Sequence, residues 1–173
     1  MTSRAGEPFS TARALADMEA LLMAPLPESG PVVPEGDPGT GEWTGTRGAG
    51  FRVAPLWEGE PLTGVYGREW TDAEEAAEAH LAAVAEALDH RWGPHRGVPM
   101  GAALMRRQDG APVDPLFGAL LDQDLYGDLA VWGPVDGTGR WAGLTVGHSD
   151  GDAPLVLAAF VSDRPVTAVD GGR

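Results

Sequence analysis

Residues 71–92 read TDAEEAAEAHLAAVAEALDHRW, and the reading of this stretch decides the fold. Ala73, Ala77, Leu81, Val84, Leu88 and Trp92 recur at intervals of three and four, so on a helix they line one side, while Asp72, Glu75, Ala79, Glu86 and His90 turn the other way. Thr71 and Glu74 have the spacing of a capping box, in which hydroxyl and carboxylate each take an otherwise unpaired backbone N–H. Gly93-Pro94 supplies the stop. An amphipathic helix over about 71–92 is therefore expected. Its apolar side needs a surface to cover, since burying Leu81, Val84 and Leu88 contributes roughly 1.5 to 3 kcal/mol each. The small Ala73 and Ala77 let its first half lie close to a sheet.

Downstream, the periodicity drops from helical to alternating. Leu129–Val135, Arg140–Val146 and Leu155–Val161 have the pattern and composition of strands. Asp136-Gly137-Thr138-Gly139 offers the left-handed backbone positions of a tight hairpin between the first two. Residues 155–160, LVLAAF, also suit the start of a helix after Pro154; they are read as the third strand of an antiparallel meander. Asp114-Pro115 combines a cap with proline at the first helical position and opens a short helix, LFGALL, that ends before Gly127.

Upstream, FRVAPLWEGEPLTGVY (51–66) reads as two short strands turning at Glu58-Gly59-Glu60, with Pro55 and Pro61 favouring edge positions. Residues 25–50 hold five Pro and seven Gly and read as a flexible linker. Before it, Ser10 caps a helix over 11–23 with Leu15, Met18 and Leu22 at helical spacing. The expected fold is α+β, an antiparallel sheet with one long amphipathic helix packed on it. The expected division is a helical extension over 1–24, a linker over 25–50 and a compact domain over 51–173.

The chain has 173 residues, no cysteine and a formal net charge of −14. That length suits one core of ordinary size. Lys, Asn and Ile are missing altogether while Ala, Gly, Pro and Arg abound, the bias of a GC-rich coding sequence. Lack of cysteine excludes disulfides, thiolate metal sites and thiol nucleophiles, and fits a cytoplasmic location. No apolar run approaches the ~20 residues that cross a bilayer, and Asp17 and Glu19 interrupt the first apolar segment where a signal peptide would need continuity. Residues 58–89 carry nine carboxylates against Arg68 alone, and 109–163 carry nine against Arg140 alone. Binding to nucleic acid or an anionic membrane is opposed by this charge.

Chemical motifs are few. Gly147-His148-Ser149-Asp150-Gly151 fits the spacing of a hydrolase nucleophile elbow, but no histidine follows Ser149 to serve as base, so a polar loop is the better reading. His80 and His90 lie about 15 Å apart along a helix and differ by about 80° in direction, too far to share a metal. His90, Asp89 and His95 could meet only through the turn after Gly93. Asp150-Gly151-Asp152 lacks the further ligands of a calcium loop. No metal and no cofactor is expected.

Arg91, Arg96, Arg106 and Arg107 form the one cationic island and are candidates for binding an anion; in so acidic a chain they are read first as partners of its own carboxylates. Trp43 stands apart from the other tryptophans, alone in the Pro/Gly segment, and is a candidate docking anchor. From Arg91-Trp92-Gly93 to Asp163, with Val131-Trp132, Arg140-Trp141, Gly147-His148-Ser149-Asp150 and Pro154-Leu155, the chain resembles small acidic actinobacterial proteins of uncharacterised activity. The resemblance implies no activity and assigns no site. The residues themselves favour a non-enzymatic protein that meets a basic protein partner through Asp72, Glu75, Glu86 and Asp89, as an immunity or antitoxin protein would. The alternatives are an adaptor docking through helix 11–23 and Trp43, and a hydrolase using Ser149.

Overall fold

A computed structural model of the chain describes residues 8–60, 67–147 and 154–168. The elements in order are α1 (Thr11–Met23), β1 (Val33–Gly36), β2 (Trp43–Gly48), β3 (Phe51–Glu58), α2 (Arg68–Trp92), β4 (Arg96–Val98), α3 (Gly101–Gln108), α4 (Pro115–Asp122), β5 (Leu129–Val135), β6 (Arg140–Gly147) and β7 (Val156–Ser162). The strands form one antiparallel sheet in the order β1-β2-β3-β7-β6-β5-β4. The last strand in sequence thus lies at the centre, between β3 and β6, and every residue of β7 after Val156 is buried. Burial on both faces explains why 155–160 is a near-continuous apolar run rather than an alternating one.

Helices cover both faces. On the first, α1 and α2 pack against Trp132, Ala142, Leu144, Leu157, Ala159 and Val161 through Ala14, Met18, Leu22, Val84 and Leu88. On the second, α3 and α4 pack against Phe51, Val53, Val131, Ala158 and Phe160 through Ala103, Leu116, Phe117 and Leu120. Gly143 makes room for the ring of Phe160: a Cβ there would meet the ring at 2.1 Å. The outer strands are short. β1 has four residues, including Pro34, and an irregular register at Glu35/Gly36; β4 has three, between Pro94 and Pro99.

The α+β class and the long helix on an antiparallel sheet stand as read from the sequence, as do the β5–β6–β7 meander and the cap of α4, where Asp114 accepts from the Leu116 N–H at 3.0 Å. Three expectations need correction. First, α2 begins at Arg68 rather than Thr71; the Thr71 hydroxyl lies within the first turn and donates back to the Gly67 carbonyl at 3.3 Å instead of capping.

Second, residues 25–50 are not simply a linker, because β1 and β2 lie within them. The segment before β1 is also tied down: the Gly50 N–H donates to the Pro27 carbonyl at 2.7 Å, and Arg52 Nε to the Pro25 carbonyl at 2.6 Å. Third, α1 is no separate extension. Its buried stripe joins the first core, and Arg140 Nη1 donates to the Leu22 and Ala24 carbonyls at 2.7 Å each, satisfying two orphan acceptors at the helix end. Just before α1, Phe9 stacks on His80 of α2, and the His80 ring meets Trp57 of β3 edge-on. β4 and α3 were not expected, and β3 is one eight-residue strand; residues 61–66, read as a second strand, lie outside the described residues.

Candidate functional site

The outer side of α2 follows from the same periodicity that buries its inner side. With Ala77, Val84, Ala85 and Leu88 turned to the sheet, Asp72, Glu75 and Glu86 are exposed on the opposite side, flanked by exposed Glu69 and Glu78. None of these five carboxylates has a hydrogen-bond or ion-pair partner among the described residues. From Glu69 to Glu86 the strip is about 26 Å long at the helical rise. Glu69 escaped the sequence reading because it precedes the capping box from which the helix was started. Arg68 is the one cation on this side of the helix, at its first residue.

Asp89 does not belong to that free strip. Its carboxylate accepts from the His95 backbone N–H at 2.9 Å and from Trp132 Nε1 at 3.0 Å, and contacts His95 Nδ1 at 2.9 Å. It therefore ties the end of α2 to the following turn and to β5. Burial pushes its carboxyl up, but the hydrogen bonds from His95 and Trp132 and the charge of His95 outweigh this and hold it below the usual carboxylate range. His95 and Asp89 meet as the turn after Gly93 allows, without His90. Among the described residues no group of three or more histidines and carboxylates is placed to hold a metal.

The cationic island is dispersed over internal partners. Arg91 pairs with Glu19 of α1, and Arg107 Nη2 donates to Asp122 of α4 at 2.5 Å. Arg106 Nε donates to the Pro112 carbonyl at 3.2 Å, while the Arg96 guanidinium lies 5.2 Å from the centre of the Trp141 ring. The four arginines do not converge on one site in these contacts. Trp43 is not isolated either: it sits on β2, half-buried against the second core, and its indole donates to the Thr46 hydroxyl at 2.9 Å.

His148, Ser149, Asp150, Gly151 and Asp152 lie outside the described residues. Gly147, at the end of β6, has a packing reason of its own, because a Cβ there would sit 2.7 Å from the Asp124 carbonyl. Two other titratable groups on or beside the sheet are perturbed. Burial lowers the His80 imidazole, and burial followed by the nearby charge of Glu42 raises the Glu58 carboxyl. Among the described residues no helix is long and apolar enough to cross a membrane.

No protein-family model, no curated protein and no solved structure matches this chain. Its surface chemistry is consequently the basis for any functional reading.

Proposed function

We propose that the protein is a non-enzymatic cytoplasmic binding protein whose outer α2 face, centred on Asp72, Glu75 and Glu86, meets a basic protein partner. The observation that supports the reading is the strip of five exposed carboxylates left without partners among the described residues, while the four arginines of the cationic island are engaged internally. In a chain of net charge −14 such a strip attracts a cationic surface from a distance, speeds encounter and disfavours acidic competitors. An immunity or antitoxin role, neutralising a basic toxin, makes this demand and requires no catalytic group.

Less supports the adaptor alternative, since the stripe of α1 packs in the protein's own core and Trp43 packs half-buried against the second core. Asp89 leaves the set of partner-binding residues and becomes a structural link. The test is capture from host lysate by the wild-type chain and by the triple variant Asp72→Asn/Glu75→Gln/Glu86→Gln, with salt elution and mass spectrometry. A basic protein retained by the first, released by salt and lost from the second is the expected result. Retention unchanged by the triple substitution would sink the reading.

A further inference from the structure

Where β7 leaves the sheet, the chain passes the first turn of α4, and the two line an open cavity of about 210 Å³. Its apolar wall is built from Leu116, Phe117 and Val166, all buried in the second core. Its polar wall carries two opposite charges, Asp114 and Arg164, together with the Ser162 hydroxyl.

Each polar group has capacity left over. Asp114 accepts the Leu116 N–H as helix cap and has no cation against it among the described residues. Arg164 is held by Nη2 on the Ala49 carbonyl at 3.2 Å, with Nε 3.7 Å from Asp163, so Nη1 remains unengaged among the described residues. Ser162, 6% exposed, accepts the Arg164 backbone N–H at 3.1 Å, yet its own O–H finds no acceptor among the described residues. A buried hydroxyl with an unmade donation marks a place where an acceptor belongs.

An anion alone in this cavity faces Asp114, and a cation alone faces Arg164. A ligand carrying both charges on a small apolar body meets neither repulsion. Drug-sized ligands occupy pockets of roughly 300 to 1,000 Å³, so the smaller volume restricts the occupant to about the size of an amino acid. We propose that this cavity binds a free apolar α-amino acid as its zwitterion. The ammonium group faces Asp114, the carboxylate takes Arg164 Nη1 and the Ser162 O–H, and the side chain lies on Phe117 and Val166. The site is independent of the α2 face.

The test is a titration of the full chain with L-leucine, followed by amide NMR, with isovalerate and isoamylamine as probes carrying one charge each. Leucine is expected to shift the amides of Asp114, Leu116, Phe117, Ser162, Arg164 and Val166 saturably, and both single-charge probes to bind more weakly. Asp114→Asn keeps a good helix cap while removing the charge, and Arg164→Gln removes the guanidinium. Each is expected to weaken leucine binding about tenfold or more, the scale of a lost charge-assisted hydrogen bond. No saturable shift at these amides, equal binding of isovalerate or isoamylamine to the wild type, or leucine binding that survives both substitutions would overturn the proposal. If a variant fails to fold, the three probes on the wild-type chain still decide.

Discussion

On one face of the sheet, helices of 13 and 25 residues are held by packing and by polar side-chain links, Arg140 to the end of α1 and Asp89 to Trp132. On the other face, two helices of eight residues are joined to each other by Arg107 and Asp122, and among the described residues no side-chain hydrogen bond connects them to the sheet. Packing is non-directional and hydrogen bonds are not. The first face is thus fixed in position as well as in burial, whereas the second depends on how well Phe160 and its neighbours fill space. The cavity lies on the second face, where a helix end is not sealed against the sheet.

The largest effect that sharpens this contrast is at Phe160. Phe160→Ala is expected to cost about 3 to 5 kcal/mol, measured by urea unfolding, and to speed amide exchange in α3 and α4 before α2. Equal loss of protection on both faces would break the distinction. Gly143→Ala is also destabilising alone, because the new Cβ meets the Phe160 ring, and much less so when Phe160→Ala is already present. Next in size is Arg140→Met, which keeps the apolar stem and removes both bonds to α1; a loss of about 1.5 to 3 kcal/mol is expected, the range for hydrogen bonds to a charged group. It should appear as faster amide exchange at the end of α1 with α3 and α4 unaffected. A loss of about 1 kcal/mol is expected for Asp114→Ala and nearly none for Asp114→Asn, the difference a helix cap makes.

The smallest effect concerns pH and is read at two groups of the first face, His80 and Asp89. His80 is lowered by burial in the folded state, so the unfolded chain binds its proton first, and stability falls as pH drops through the ordinary histidine range. Asp89 is held low, so its contribution is complete above the ordinary carboxylate range and is lost as pH falls through its depressed value. Thermal unfolding from pH 7 downward should show both losses. His80→Phe, which preserves an aromatic ring against Phe9, removes the earlier one, and Asp89→Asn the later. A profile identical to wild type in either variant contradicts the assignment.

The sequence made the first face far more legible than the second. α2 announces itself by a stripe that runs over five turns, and the meander by Asp136-Gly137-Thr138-Gly139, because these signals are local. β1 and β2 were hidden by glycines that read as flexibility but are required by close approach. A Cβ at Gly48 would meet the Phe51 ring at 2.4 Å, and Gly45 has a φ of +157° with the Val53 carbonyl 3.0 Å from where its Cβ would lie. α3 was missed because Met100 at its start provides no side-chain cap, leaving no signal to read. On α2, periodicity placed Asp72, Glu75 and Glu86 outward correctly. It could not show that Asp89, at the margin of that side, is claimed by Trp132 of β5, 43 positions later.

The two ends of the sheet have a consequence for the protein in concentrated solution. An exposed strand edge is a template on which further chains can add, and long flat edges of this kind seed fibres and swapped dimers. Here one end offers four residues with a proline and a broken register, and the other three residues set between prolines. Neither is long enough to hold a docked strand in register. Growth by strand addition is blocked at both margins, and with a net charge of −14 opposing like-charged neighbours the chain is built to stay dispersed as its concentration rises.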